Sequence, residues 1–253
     1  MGTGGGRWLT ARNVQAMPDG AFGAVWAGGR VSGWPEFIGA LAVFLLSHMI
    51  PVRPPVRPLL IRILGLRGYF IGYSVLSVLV LVWLIVAAGR APYVAVIPPL
   101  QVFRWAPLIA MPVVCALAVA GISLVNPLSF GGMGRAAFDP ARPGILAVSR
   151  HPLLLALLLW SLAHLLANGD LAHVLLFGLF AGFSGVGMIL IDRRIQRQVG
   201  LAAWQGLAQG TARLSVSGVA HVQFRLWQMA VIAGVCAALL GMHLPVIGVS
   251  PLP

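Results

Sequence analysis

The chain has 253 residues, 59% of them hydrophobic and only 9% charged, with a mean hydropathy of +0.94, and this composition cannot supply the polar shell of a soluble domain, so the surrounding medium is lipid. Its formal net charge of +12 is carried by 17 basic residues, all arginine. Most of them flank apolar runs, so they read as the topological charge of a membrane protein and not as a nucleic-acid footprint.

Residues 1–33, rich in Gly and carrying Arg7, Arg12 and Arg30, lack a compact apolar core followed by a small-residue cleavage site, so no signal peptide is expected. They read as an extramembrane or interfacial tail with Trp8 and Trp26 as anchors. A bilayer-spanning helix needs about 20 mostly apolar residues. Such stretches are expected at 36–49, 69–88, 107–125, 152–167, 171–191 and 227–247. The expected fold is therefore all-α, a polytopic bundle of about six spans. Residues 34–197 form a five-span core, 198–226 a polar cytoplasmic segment, and 227–253 the last span and tail. The first span stops at the Pro-rich stretch 51–58, which cannot continue a regular helix.

Arginine near span ends resists translocation. Arg53, Arg57, Arg62 and Arg67 follow the first span, Arg135, Arg142 and Arg150 precede the fourth, and Arg193, Arg194 and Arg197 follow the fifth, while the opposite loops hold Arg90, Arg104 and Asp170. An N-out, C-out topology follows, and the polar segments 126–149 and 192–223 become the cytoplasmic rim where an active site would lie. Gly178, Gly182, Gly185 and Gly187 in the fifth span read as a close-packing face. Cys115 and Cys236 each sit in an apolar run and read as buried thiols without a disulfide or thiolate metal site.

Ionisable side chains inside a span are costly and usually face an interior site. Of the six histidines, His48 and His164 lie within apolar helices, His173 and His243 read as interfacial, and His221 lies in a polar segment. Arg150-His151-Pro152 places a basic pair at a helix start, where proline's missing N–H costs nothing. Such a start is an anion site for a phosphate, a carboxylate or a haem propionate. Carboxylate-based metal hydrolysis and proton relays find no intramembrane acid beyond Glu36 at a span border. Two imidazoles from different apolar helices, with arginine available for propionates, fit a six-coordinate b-type haem in a helix bundle.

The runs Ser149-Arg150-His151-Pro152, then Trp160-Ser161-Leu162-Ala163-His164-Leu165-Leu166-Ala167-Asn168-Gly169, then Asp192-Arg193-Arg194, with His48 in Leu46-Ser47-His48, resemble the NnrU family of bacterial membrane proteins. That family is associated with nitrite and nitric oxide reductase expression and is similar to the plant 15-cis-zeta-carotene isomerase, a haem b membrane enzyme. The resemblance covers 36–197 well and the last span weakly. It implies haem b with His48 and His164 as axial ligands, redox or isomerase-type chemistry, an electron donor or oxidoreductase complex as partner, and a bacterial inner-membrane location. Ala156, Met49 and the stretch 200–204 depart from the isomerase's pattern.

On straight helices His164 lies roughly 18 Å beyond Pro152, whereas His48 is close to the cytoplasmic end of its span. Either the first helix is tilted or broken, or His151 is the better partner. The Arg-His-Pro start also looks like the isoprenylcysteine carboxyl methyltransferases, where it helps bind S-adenosylmethionine. A cofactor-free accessory or assembly protein is the third reading.

Overall fold

The computed structural model describes residues 33–131 and 138–252. The expected tail anchors Trp8 and Trp26, with Arg7, Arg12, Arg30 and Arg135, lie outside the described residues. Among the described residues the chain is helical, and the one backbone bridge outside helices pairs Ala95 with Asp170. The structure separates into two compact units, one ending at Val94 and the other starting at Ala95.

The described part of the first unit is a helix pair, α1 (Gly33–Met49) and α2 (Val56–Arg90). Phe37 and Ala40 of α1 and Leu84, Ala87 and Ala88 of α2 are buried in their contact. Gly33 lies so close to the Arg90 carbonyl that a Cβ there would collide with it, and Glu36 pairs with Arg90 at 3.2 Å nearby. Gly65, at φ 70° and ψ 166°, interrupts α2 in a conformation open to glycine and strained for other residues. The Pro-rich turn is tied to α2, since the Tyr69 hydroxyl donates to the Pro51 carbonyl at 3.2 Å.

The second unit contains α3 (Trp105–Ser123), α4 (Pro152–Ala167), α5 (Leu171–Val199), the short α6 (Leu201–Ala208) and α7 (Leu226–Ile247). Helix α4 packs between α3 and α5, and α7 leans on α3. Leu117, Ala120, Leu146, Leu154, Leu155 and Met188 form the core. Gly121 lets Pro152 approach α3, because a Cβ there would come within 2.9 Å of the Pro152 ring. Of the fifth-span glycines, Gly187 faces Leu154 of α4 and Gly178 touches Leu165, but Gly182 and Gly185 have open space where a Cβ would stand. At none of the four would an added Cβ meet more than ordinary van der Waals contact, so the close-packing reading is not supported at these positions. Cys115 and Cys236 are free thiols on facing helices, α3 and α7.

The Asn168-Gly169-Asp170 turn has a backbone explanation. Asn168 donates its side-chain amide to the His164 carbonyl at 2.9 Å and closes α4. The Gly169 carbonyl accepts from both Val96 and Ile97 at 2.9 Å, and only a residue without Cβ fits there against Ile97. Asp170 caps α5, accepting from the His173 N–H at 3.2 Å.

Four helical segments, Val56–Arg90, Gln101–Ser123, Leu171–Val199 and Leu226–Ile247, are long and apolar enough to cross a membrane. Helices α1 and α4 are apolar but have only 17 and 16 residues, about 25 Å against a hydrocarbon core of about 30 Å. Helix α5 continues past its expected end to Val199, because Ile191, Ile195 and Val199 keep the apolar stripe at helical spacing while arginines fill the other faces.

Candidate functional site

The second unit buries one charged cluster. Pro152 opens α4 and His151 is its N-cap, and the residue before a proline is held out of helical geometry, which turns Arg150 and His151 across the helix start. Eight residues short of its C-terminal cap, α5 presents Asp192, which is 1% exposed. The Arg150 guanidinium grips this carboxylate through Nε at 2.9 Å to Oδ1 and Nη2 at 3.1 Å to Oδ2. His151 Nε2 reaches Oδ1 at 3.0 Å, and Arg213 Nε reaches Oδ2 at 3.1 Å.

A second layer of bonds fixes these groups. Ser129 meets His151 Nδ1 at 3.1 Å, and because an ionised carboxylate only accepts, the arrangement is satisfied by a neutral imidazole with its proton on Nε2 and the Ser129 hydroxyl donating to Nδ1. Asn126 donates to the Arg150 carbonyl at 2.9 Å. The segment after α6 returns to this point through Arg150 N–H to the Ala212 carbonyl at 2.7 Å, Ser149 hydroxyl to the Arg213 carbonyl at 2.9 Å and Ser215 N–H to the Val148 carbonyl at 2.9 Å. Trp204 of α6 lies under the Arg150 guanidinium at 5.2 Å.

Burial pushes His151 below its ordinary value of 6.5, Arg150 and Arg213 add to that push, and the pull of Asp192 does not reverse it. The unfolded chain therefore takes up a proton more readily than the folded one. The contribution of His151 to stability is intact above about pH 6.5 and declines as pH falls from there towards the depressed value. Melting temperature measured between about pH 7.5 and pH 5 should fall more steeply in the wild type than in His151→Gln, and parallel slopes would contradict this assignment.

Gly218 touches the Ala147 carbonyl and Val148 backbone, with no room for a Cβ. Gly218→Ala should push the returning segment off the cluster at a cost of about 1–3 kcal/mol, read as a lower melting temperature and faster proteolysis after Arg213.

The two histidines expected to ligate haem lie elsewhere. His164 is thirteen positions along α4 from His151, about 20 Å on a regular helix. Its Nδ1 is 2.8 Å from the Trp160 carbonyl, and its ring lies between Trp160 at 5.0 Å and Phe177 at 5.5 Å. His48 belongs to the first unit, with Nδ1 2.8 Å from the Phe44 carbonyl and Tyr73 at 6.0 Å. A carbonyl only accepts, so both rings carry the proton on Nδ1 and keep the Nε2 lone pair, which has no hydrogen-bond partner among the described residues. His151 differs, since both ring nitrogens are engaged. No group of three or more His, Cys, Asp or Glu side chains gathers at one place among the described residues.

Arg150 and His151 are thus brought together, and the anion they hold is internal. Sequence reasoning named Asp192 but missed its partnership with them, and it missed Arg213, Ser129 and Trp204. The available signal was a solitary acid at the end of an apolar helix in an arginine-rich chain, which demands a cationic partner. With both carboxylate oxygens engaged, Asp192 offers a methyl donor's cationic group no free acceptor, and the Arg-His pair on which the methyltransferase reading rests is itself bonded to that carboxylate.

No curated protein and no solved structure matches the chain. The family model described as NnrU protein matches residues 36–251, which includes the last helix, where the sequence resemblance was weak. The match runs through both units and takes in His48, the buried Arg150–His151–Asp192 cluster and His164, and the chain therefore belongs to the NnrU family.

Proposed function

We propose that this chain is a histidine-ligated haem b protein of the bacterial inner membrane, with six spans and an N-out, C-out topology, in which His48 and His164 hold the iron. The observation that carries the reading is the shared preparation of these two side chains. Each lies in an apolar helix and commits its Nδ1 proton to the carbonyl four residues back, leaving Nε2 as a ligand nitrogen of fixed tautomer. Metal-bound histidines nearly always have their second nitrogen held in this way. Among the described histidines, His151 lacks a free nitrogen; His173 and His243 also have Nδ1 engaged, by Asp170 at 2.7 Å and by the Val249 carbonyl at 2.8 Å, but neither bonds the carbonyl four residues back within its own apolar helix.

When bound, haem supplies a one-electron redox centre whose potential follows ligand identity, hydrogen bonding and burial. The protein's own part is to fix the imidazoles and surround them with apolar and aromatic side chains. Arg150 and His151 act at a distance by fixing the start of α4, and so the depth of His164 along it. An electron donor or oxidoreductase complex is the implied partner, and isomerase-type chemistry at the haem is the reaction class carried by the family likeness. Pyridine haemochrome assay of protein purified from haem-replete cells should give about one haem b per chain. Protein without haem from such cells would sink the proposal.

A further inference from the structure

We propose that the Asp192 cluster is a half-filled anion site, and that an external phosphate group completes it by binding the unused N–H groups of Arg150, Arg213 and Trp204. The charge count comes first. Two guanidinium groups share one carboxylate and the neighbouring imidazole is neutral, so one positive charge has no partner in the cluster. The chain does not offer a second anion nearby in sequence, because no acidic residue follows Asp192 while Arg193, Arg194, Arg197, Arg213 and Arg225 do.

The donors give the same answer. Arg150 commits Nε and Nη2 to Asp192, and Arg213 commits only Nε, so Nη1 of Arg150 and both terminal nitrogens of Arg213 have no hydrogen-bond partner among the described residues. Trp204 Nε1 is a buried N–H without a partner, in the indole directly beneath Arg150. A buried donor left unmade is costly, so its presence beside two under-used guanidinium groups calls for an acceptor.

Geometry selects the kind of anion. The planar two-point grip on Arg150 is already taken by Asp192. The remaining donors come from three side chains, Arg150, Arg213 and Trp204, and a tetrahedral oxyanion with more than two acceptor oxygens can meet all three where a second carboxylate, held by the Arg213 fork, would leave donors over. Arg213, whose side chain is 49% exposed, marks the way in. The phosphate group belongs either to an anionic lipid headgroup or to a free phosphate.

The test uses the delipidated full chain in detergent, with phosphatidylglycerol, inorganic phosphate and, as control, phosphatidylcholine as probes, read by native mass spectrometry and by melting temperature. Arg213→Gln and Trp204→Phe each remove donors while leaving Asp192 held by Arg150 and His151. Phosphatidylglycerol or inorganic phosphate should raise the wild-type melting temperature more than phosphatidylcholine, whose phosphate is neutralised by its own choline, and each variant should weaken the apparent affinity about tenfold. Stabilisation by phosphatidylglycerol alone assigns the group to a lipid, and stabilisation by inorganic phosphate as well assigns it to a free ligand. The proposal is overturned if neither probe stabilises the wild type, or if both variants, melting normally without probe, bind as tightly as the wild type. The haem content of these proteins is a separate readout and bears on neither outcome.

Discussion

Asp192→Ala is expected to destabilise the protein by about 3–5 kcal/mol, because it leaves buried cations without their counter-charge. Asp192 is 1% exposed, Arg150 8% and His151 0%, so water cannot take over the lost contacts without opening the structure. A loss of that size is at least about a fifth of the roughly 5–15 kcal/mol that holds an ordinary domain folded. Asp192→Asn keeps the shape but loses the charge and gives up an acceptor oxygen for an N–H facing guanidinium groups, so it should fall nearly as far. Arg213→Ala should cost much less, roughly 1 kcal/mol or under, since its half-exposed side chain is hydrated when released. The double variant Asp192→Ala/Arg213→Ala should be less damaged than the sum of the two, since it removes one of the stranded cations. Thermal unfolding in detergent and the monodisperse fraction on size exclusion would measure this series. An Asp192→Ala protein melting close to wild type would show that the cluster is hydrated and not structural.

The second large effect is on the cofactor. His164→Ala should abolish haem retention while leaving the helix intact, because alanine is the best helix former and the lost Nδ1 bond to the Trp160 carbonyl is only one local contact. Added imidazole should restore part of a low-spin spectrum by entering the space between Trp160 and Phe177. His173→Ala is the matched control. Its ring lies 6.0 Å from the same Phe177, yet it is tied to the α5 cap by Asp170, so haem should survive its removal. A His164→Ala protein with full haem content would separate the cofactor from this residue.

Much of the helix layout was legible because it is local. The α4 boundaries are as expected from the sequence, since the fixed φ and missing N–H of Pro152 suit the first helical position and Asn168-Gly169 closes the helix. The end of α5 was not legible from hydropathy, because the arginine-rich run past Ile191 is polar by composition yet keeps an apolar stripe that hydropathy averages away. Helix α6 has only eight residues and escaped notice for want of length. At the site, Arg150 and His151 stood out through their neighbour Pro152, and the tautomer-fixing bonds of His48 and His164 follow from helix geometry four residues back. Arg213 and Ser129 could not be found in this way, because they arrive on loops whose return to α4 depends on backbone pairing across the fold, such as Arg150 with Ala212. No local periodicity encodes such a return.

The measurement that tests the central claim most directly is the oxidised and dithionite-reduced optical spectrum of the purified wild type beside His48→Ala and His164→Ala, all made in haem-replete cells. The expected result is a b-type spectrum in the wild type that is lost or converted to a weaker, five-coordinate form in each variant. A colourless wild type, or a spectrum unchanged in both variants, would contradict it.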